Sequence, residues 1–153
     1  MSKNVGKVLV SIGSLWYGVI PVIADLNESH LLNPEWMPHA KLHLAWLLAT
    51  GSCLAMYSLY LIWRRSQVLE AAIIGLCVMS GFWIAASTRA LYGGLFVDPN
   101  HEAPSILGLH PNVFAFIFVT GFLVAGLLVE YFQRRAARWR FRSLTYPKQH
   151  PGG

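Results

Sequence analysis

The stretch ADLNESHLLNPEWMPHAKLH, residues 24–43, is a polar island between two long apolar runs. It holds three of the six histidines, His30, His39 and His43, and three of the seven carboxylates, Asp25, Glu28 and Glu35. Pro34 and Pro38 punctuate it, and Pro38 suits the first position of a helix because it has no N–H to leave unpaired there. The run before the island, VLVSIGSLWYGVIPVIA (8–24), carries no charge and has about the length that crosses ~30 Å of hydrocarbon. The island therefore reads as a hinge between two membrane-crossing helices.

Working outward, the run after the hinge extends from Pro38 to Trp63, and its first turn, with His39, Lys41 and His43, is expected in the interfacial layer. Trp36 and Trp46 at one end, and Tyr60 and Trp63 at the other, sit where aromatic belts form. Arg64 to Gln67 is too short for anything but an antiparallel connection. A third span follows over 68–92, ended by Gly93-Gly94, and a second polar segment, Asp98 to His110, leads into a fourth span over 112–132. These spacings predict an all-α integral membrane bundle of four antiparallel helices (8–24, 38–63, 68–92, 112–132) in a domain 1–133, followed by a basic tail, 134–153. Ser14 and Gly18 on the first helix, Gly75, Ser80, Gly81, Ala85, Ala86 and Ser87 on the third, and Gly121 and Gly126 on the fourth are expected points of close helix contact. Pro21 is expected to loosen the last turn of the first helix.

Composition agrees. The 153 residues are 55% hydrophobic and 12% charged, against the ~25% charged of an ordinary soluble domain. No small-residue cleavage site follows a short apolar core near Met1, so the first run reads as a retained helix in a mature chain starting near Met1. Cys53 and Cys77 each stand alone inside an apolar run and read as packing residues.

The net charge of +5 is localised rather than spread. Lys3, Lys7, Arg64, Arg65, Arg134, Arg135, Arg138, Arg140, Arg142 and Lys148 all fall on one side, leaving only Lys41 and Arg89 elsewhere. The positive-inside rule makes that side, with both termini, cytoplasmic, in a plasma or inner membrane. The basic tail then lies against anionic head groups, each base worth ~1 kcal/mol near the surface, and nucleic acid is excluded as a partner. Asp25, Glu28, Glu35, Asp98 and Glu102 fall on the outer side.

Candidate chemistry gathers on that outer side. His39 and His43 lie one helical turn apart on one face, the placement of a metal-chelating or proton-relaying pair. No ligand motif such as HExxH accompanies them, so the metal assignment is open and no cofactor is implied. Asp25, His30, Glu35, Trp36, Trp46, Trp83, Arg89, His101, Glu102 and His110 come from neighbouring helix ends and are candidates to complete a ligand site with them. Arg89 sits one turn before the end of the third helix and needs water or a partner; Asp25, at the corresponding end of the first helix, is the expected one. Glu130 with Arg134, and Glu70 with Arg65, are expected interfacial ion pairs at the other end. Trp16, Tyr17, Tyr57, Phe82, Trp83, Phe114, Phe116 and Phe118 are aromatic residues within the spans that would line a lipid-like ligand's cavity.

Ile20-Pro21 followed by Asp25-Leu26, the Pro34-Glu35-Trp36 turn, and the spacing of the third and fourth helices resemble the small four-helix DoxX-like proteins and the EXPERA group, which includes emopamil-binding sterol isomerases and sigma-type sterol receptors. The resemblance covers the whole chain in topology. It implies an intramembrane pocket for a sterol or isoprenoid and, in isomerase members, acids and histidine moving a proton between carbons. This chain departs from that pattern, because Glu70 stands at a helix end and Lys41 and Arg89 are basic, leaving no buried carboxylate in the second or third helix.

The function expected from these readings is binding of a lipid-like or isoprenoid/sterol-like molecule in an outer-facing pocket rimmed by Asp25, His39, His43 and Arg89. The alternatives are a membrane isomerase or hydrolase using His39, His43 and Asp25 as acid and base, and a structural subunit. Expected partners are membrane lipids, the ligand, and a membrane-protein partner or a second copy of the chain.

Overall fold

The computed structural model describes residues 4–96 and 105–145, with side chains to residue 139. The chain forms α1 (Val5–Asp25), α2 (Pro38–Arg64), α3 (Val68–Thr88) and α4 (Pro111–Thr145), with a short 3-10 turn, Arg89–Leu91, after α3. Each of the four helices is long and apolar enough to cross a bilayer. The result is an all-α four-helix bundle, as the hydrophobic lengths require.

α1 lies at the centre, packed against α2, α3 and α4, while α2 and α4 sit on opposite sides of it without touching. The core runs along this axis through Val10, Tyr17, Ile62, Val68, Met79 and Leu123. Large apolar side chains cover the outside as well: Ile12, Leu15, Val19 and Ile23 on α1, Leu47 and Met56 on α2, Ile73 and Ile84 on α3, and Ile117 and Leu128 on α4 are all exposed. α4 makes the point most clearly, since only 17% of its most apolar stretch is buried. A soluble protein would not leave so much contiguous apolar surface open to water, whereas lipid is a good solvent for it.

Between helices in lipid there is no hydrophobic driving force, so close packing and hydrogen bonds hold the bundle. The α1–α2 seam shows both. Trp63 Nε1–H donates to Ser11 Oγ at 3.0 Å, and the Tyr17 and Ser58 hydroxyls meet at 2.9 Å. Pro21 removes the N–H that would bond the Tyr17 carbonyl, yet α1 continues through it to Asp25. The gap is covered from α2, where Gly51 lets the Tyr17 carbonyl approach and Ser52 Oγ donates to the Gly18 carbonyl at 2.7 Å. Gly18 itself faces Ala55 so closely that a Cβ on it would overlap the alanine methyl.

One end of the bundle is basic. Lys7 Nζ donates to Ser66 Oγ at 3.2 Å, and Arg134 donates to the Ser66 carbonyl at 3.0 Å and to Glu130 Oε1 at 2.8 Å. α1, the α2–α3 turn and α4 are thereby tied together through Ser66, which holds φ 53°. The expected Glu130–Arg134 pair is present. The expected Glu70–Arg65 pair does not form among the described residues, where both side chains are exposed and water competes for them.

Other expectations need correction. α4 does not stop at 132: it runs 35 residues to Thr145, about 52 Å, so it outlasts any bilayer core and takes the first part of the basic tail with it. Gly81 and Gly121 have nothing within 4 Å of a would-be Cβ, and of the small residues on α3 only Ala71, Ala72 and Gly75 are buried, so α3 packs against α1, α2 and α4 without close contact at Gly81. Gly126, by contrast, does admit Val10. Cys53 and Cys77 are exposed on the apolar exterior rather than packed inside.

Candidate functional site at the histidine end

The end opposite the basic one carries the two polar segments. After α1 the chain turns around Asn27, whose Nδ2 donates to the Ala24 carbonyl at 2.7 Å while its Oδ1 accepts from the Ser29 N–H at 2.9 Å. Ser29 Oγ then lies 2.8 Å from His30 Nδ1, which sets the ring so that Nε2 is 3.9 Å from Asp25 Oδ1 and Trp36 meets it edge-on at 6.0 Å. Asp25, His30 and Trp36 thus form one small group, with Glu35 exposed beside it.

A second group sits on the first turns of α2. His39 and His43 place their Nε2 atoms 3.0 Å apart with rings nearly perpendicular, and Trp46 stands one turn further on, 6.1 Å from His43. The shared helical face is as the i, i+4 spacing requires. No third metal-ligating side chain joins them, since no group of three or more His, Cys, Asp or Glu among the described residues is arranged to hold a metal.

The third group is at the α3–α4 corner. The Arg89 guanidinium lies 4.8 Å over the ring of Phe96, which stacks on His110 at 5.5 Å. Asn112 pins this corner, donating from Nδ2 to the Phe96 carbonyl at 3.3 Å and from its backbone N–H to His110 Nδ1 at 3.2 Å. The other ring nitrogen, His110 Nε2, is buried and has no hydrogen-bond partner among the described residues. Below it, Phe82 of α3 stacks on Phe116 of α4 at 3.5 Å, and Trp83 Nε1–H donates to Thr120 Oγ1 at 3.1 Å. The loop before α4 is closed by a tight turn in which Leu107 and Gly108 both take positive φ (51° and 77°), the left-handed pair such two-residue turns need.

The described candidates therefore fall into three separate contact groups. The expected Asp25–Arg89 ion pair is absent among the described residues: Asp25 faces His30, and Arg89 donates to the Ala86 carbonyl at 2.8 Å and covers Phe96. With separate partners, the two residues should act independently. In detergent, the destabilisation of the Asp25→Asn, Arg89→Gln double variant is expected to equal the sum of the single changes within about 0.5 kcal/mol. A double variant markedly more stable than that sum would restore the ion pair. Asp98, His101 and Glu102 lie outside the described residues.

Of the aromatic residues expected to line a cavity, Phe82, Trp83 and Phe116 belong to the third group, and Tyr17 is core. Trp16 borders a shallow apolar hollow of about 320 Å³ on the outer flank of α1, lined with it by Ile12, Leu15, Val19 and Ile20. Tyr57 and Phe118 are exposed. Phe96, the residue that joins Arg89 to His110, was not among the sequence candidates. Its signal was there in part, since an aromatic ring in an otherwise polar connection has to find something to cover it.

Residues 9–134 match a family of unknown function, DUF6640, and the chain belongs to that family. The match takes in both polar segments and most of all four helices, leaving out the first turn of α1 and the end of α4. No curated protein and no solved structure matches the chain.

Proposed function

We propose that this is an integral membrane protein that binds a lipid-like amphiphile, of the isoprenoid or sterol-like class, at the α3–α4 corner of its histidine end. The observation that carries this reading is the pairing of polar groups that want a ligand with an apolar wall. Among the described residues Arg89 has no carboxylate partner, and His110 Nε2 is buried and has no hydrogen-bond partner. A buried ring nitrogen without a partner costs free energy that a ligand's polar group would recover. Beside them the Phe82, Trp83 and Phe116 rings offer the apolar surface that a hydrocarbon chain or ring system would lie against. In this reading Arg89 and His110 hold the head group, Phe96 orients both, and the remaining candidates contribute less. Arg89 chemistry selects a head group that accepts hydrogen bonds or carries negative charge.

The enzyme alternative asks for an acid and a base within reach of one atom, and the described carboxylate nearest to chemistry, Asp25, serves the separate His30 group. Binding is therefore the better-supported role. The subunit alternative draws on Gly81 and Gly121, open positions on the outer faces of α3 and α4 where another helix would approach closely. The base distribution supports a basic end facing the cytoplasm and a histidine end facing outward, and a plasma or inner membrane is the proposed location.

Native mass spectrometry of gently extracted protein tests the reading. A lipid-sized adduct is expected on the wild type and reduced about tenfold or more in Arg89→Gln, the loss of one charge-assisted hydrogen bond. A clean protein mass under every condition, or equal retention by Arg89→Gln, would remove the amphiphile; a stoichiometric second protein in its place would favour the subunit.

A further inference from the structure

We propose that His39 and His43 form a binding site for a divalent transition-metal ion, with copper(II) preferred over zinc(II). This is independent of the amphiphile reading, because the pair sits on α2 and shares no residue with the α3–α4 corner. The two Nε2 atoms are 3.0 Å apart on one exposed face of α2, close enough for a single ion to take the place of the hydrogen bond between them. In the metal-free pair one ring donates its Nε2–H to the other. Metal binding moves that proton to the Nδ1 of the donor ring, after which both Nε2 lone pairs face the ion.

Donor type selects the metal. With metal–nitrogen bonds of about 2.0–2.1 Å, neighbouring nitrogens in a tetragonal copper(II) site stand about 3 Å apart, a spacing within reach of the two exposed rings. Among divalent first-row ions copper also binds nitrogen sites most strongly. Both rings are exposed, so water fills the remaining positions without rearrangement of the protein. The pair is held by the rigid first turns of α2 rather than by a loop, and therefore needs little ordering when the ion arrives. The positive end of the helix dipole opposes any cation there, which keeps the affinity moderate.

The test is copper(II) titration of the full-length protein in lipid nanodiscs, read by electron paramagnetic resonance. One copper per chain with two imidazole nitrogens is expected. His43→Gln should weaken uptake at least tenfold, and His30→Gln should leave it unchanged. Because both pair members are exposed, circular dichroism of His43→Gln should match the wild type and so exclude unfolding as the cause. Uptake that survives His39→Gln, His43→Gln, that falls equally with His30→Gln, or that is absent at equimolar copper would overturn the site. One copper per two chains with four nitrogens would replace it by a bridge between copies.

Discussion

Gly18→Val is expected to destabilise the bundle by about 3 kcal/mol, the upper part of the usual range for overpacking a tight contact. Gly18 faces Ala55 across the α1–α2 seam, and even a first side-chain carbon there would overlap the alanine methyl. Neither helix can retreat cheaply, because the seam is also pinned by Ser52 on the Gly18 carbonyl and by the Tyr17–Ser58 bond. Unfolding in detergent, followed by circular dichroism, measures the loss. Adding Ala55→Gly to Gly18→Val should recover part of it, since the second change opens the space the first one needs. A Gly18→Val protein as stable as the wild type would show that α1 and α2 are not packed at this distance.

The second large effect is expected at Leu123. This fully buried side chain of α4 fits against Gly13 of α1 and Gly75 of α3, joining three helices at one point. Leu123→Ala leaves a cavity that those three backbones cannot close and should cost about 2–4 kcal/mol. Gly75→Ala alone should also destabilise, because its methyl would meet the leucine at 2.8 Å. Combined, the two changes should cost less than their sum, the alanine methyl occupying volume the leucine has vacated. Additive losses in the double variant would mean that the three helices do not meet at Leu123.

These contacts lie at the level of detail that the amino-acid sequence shows least. Hydrophobic length and the placement of charge are local properties, so the four spans, the 64–67 turn and the shared side of the two termini could be read directly. The end of α4 could not be read from apolarity, because leaving the membrane does not end a helix. QRRAARWRFRSLT contains no Gly or Pro, and helical backbone continues to Thr145, with Pro147 the first breaker beyond. Helix rotation was the harder problem. Which residues of α1 face α3 depends on glycine positions along both helices, and Asp25 instead meets His30, five residues on in the same chain segment. The candidate site suffered most from this. His39 with His43 was legible because one helix carries both, whereas the Arg89–Phe96–His110 arrangement depends on how a loop folds back over the α3–α4 corner.

The proposed function rests on four helices that cross a membrane, and on the proposal that both chain ends face the cytoplasm. Cysteine accessibility in intact cells tests this most directly. In a Cys53→Ser, Cys77→Ser background, Glu28→Cys, exposed in the hinge after α1, should react with a membrane-impermeant maleimide added outside. Ser143→Cys, near the end of α4, should react only after the cells are permeabilised. Labelling of Ser143→Cys from outside, or protection of Glu28→Cys, would contradict the account.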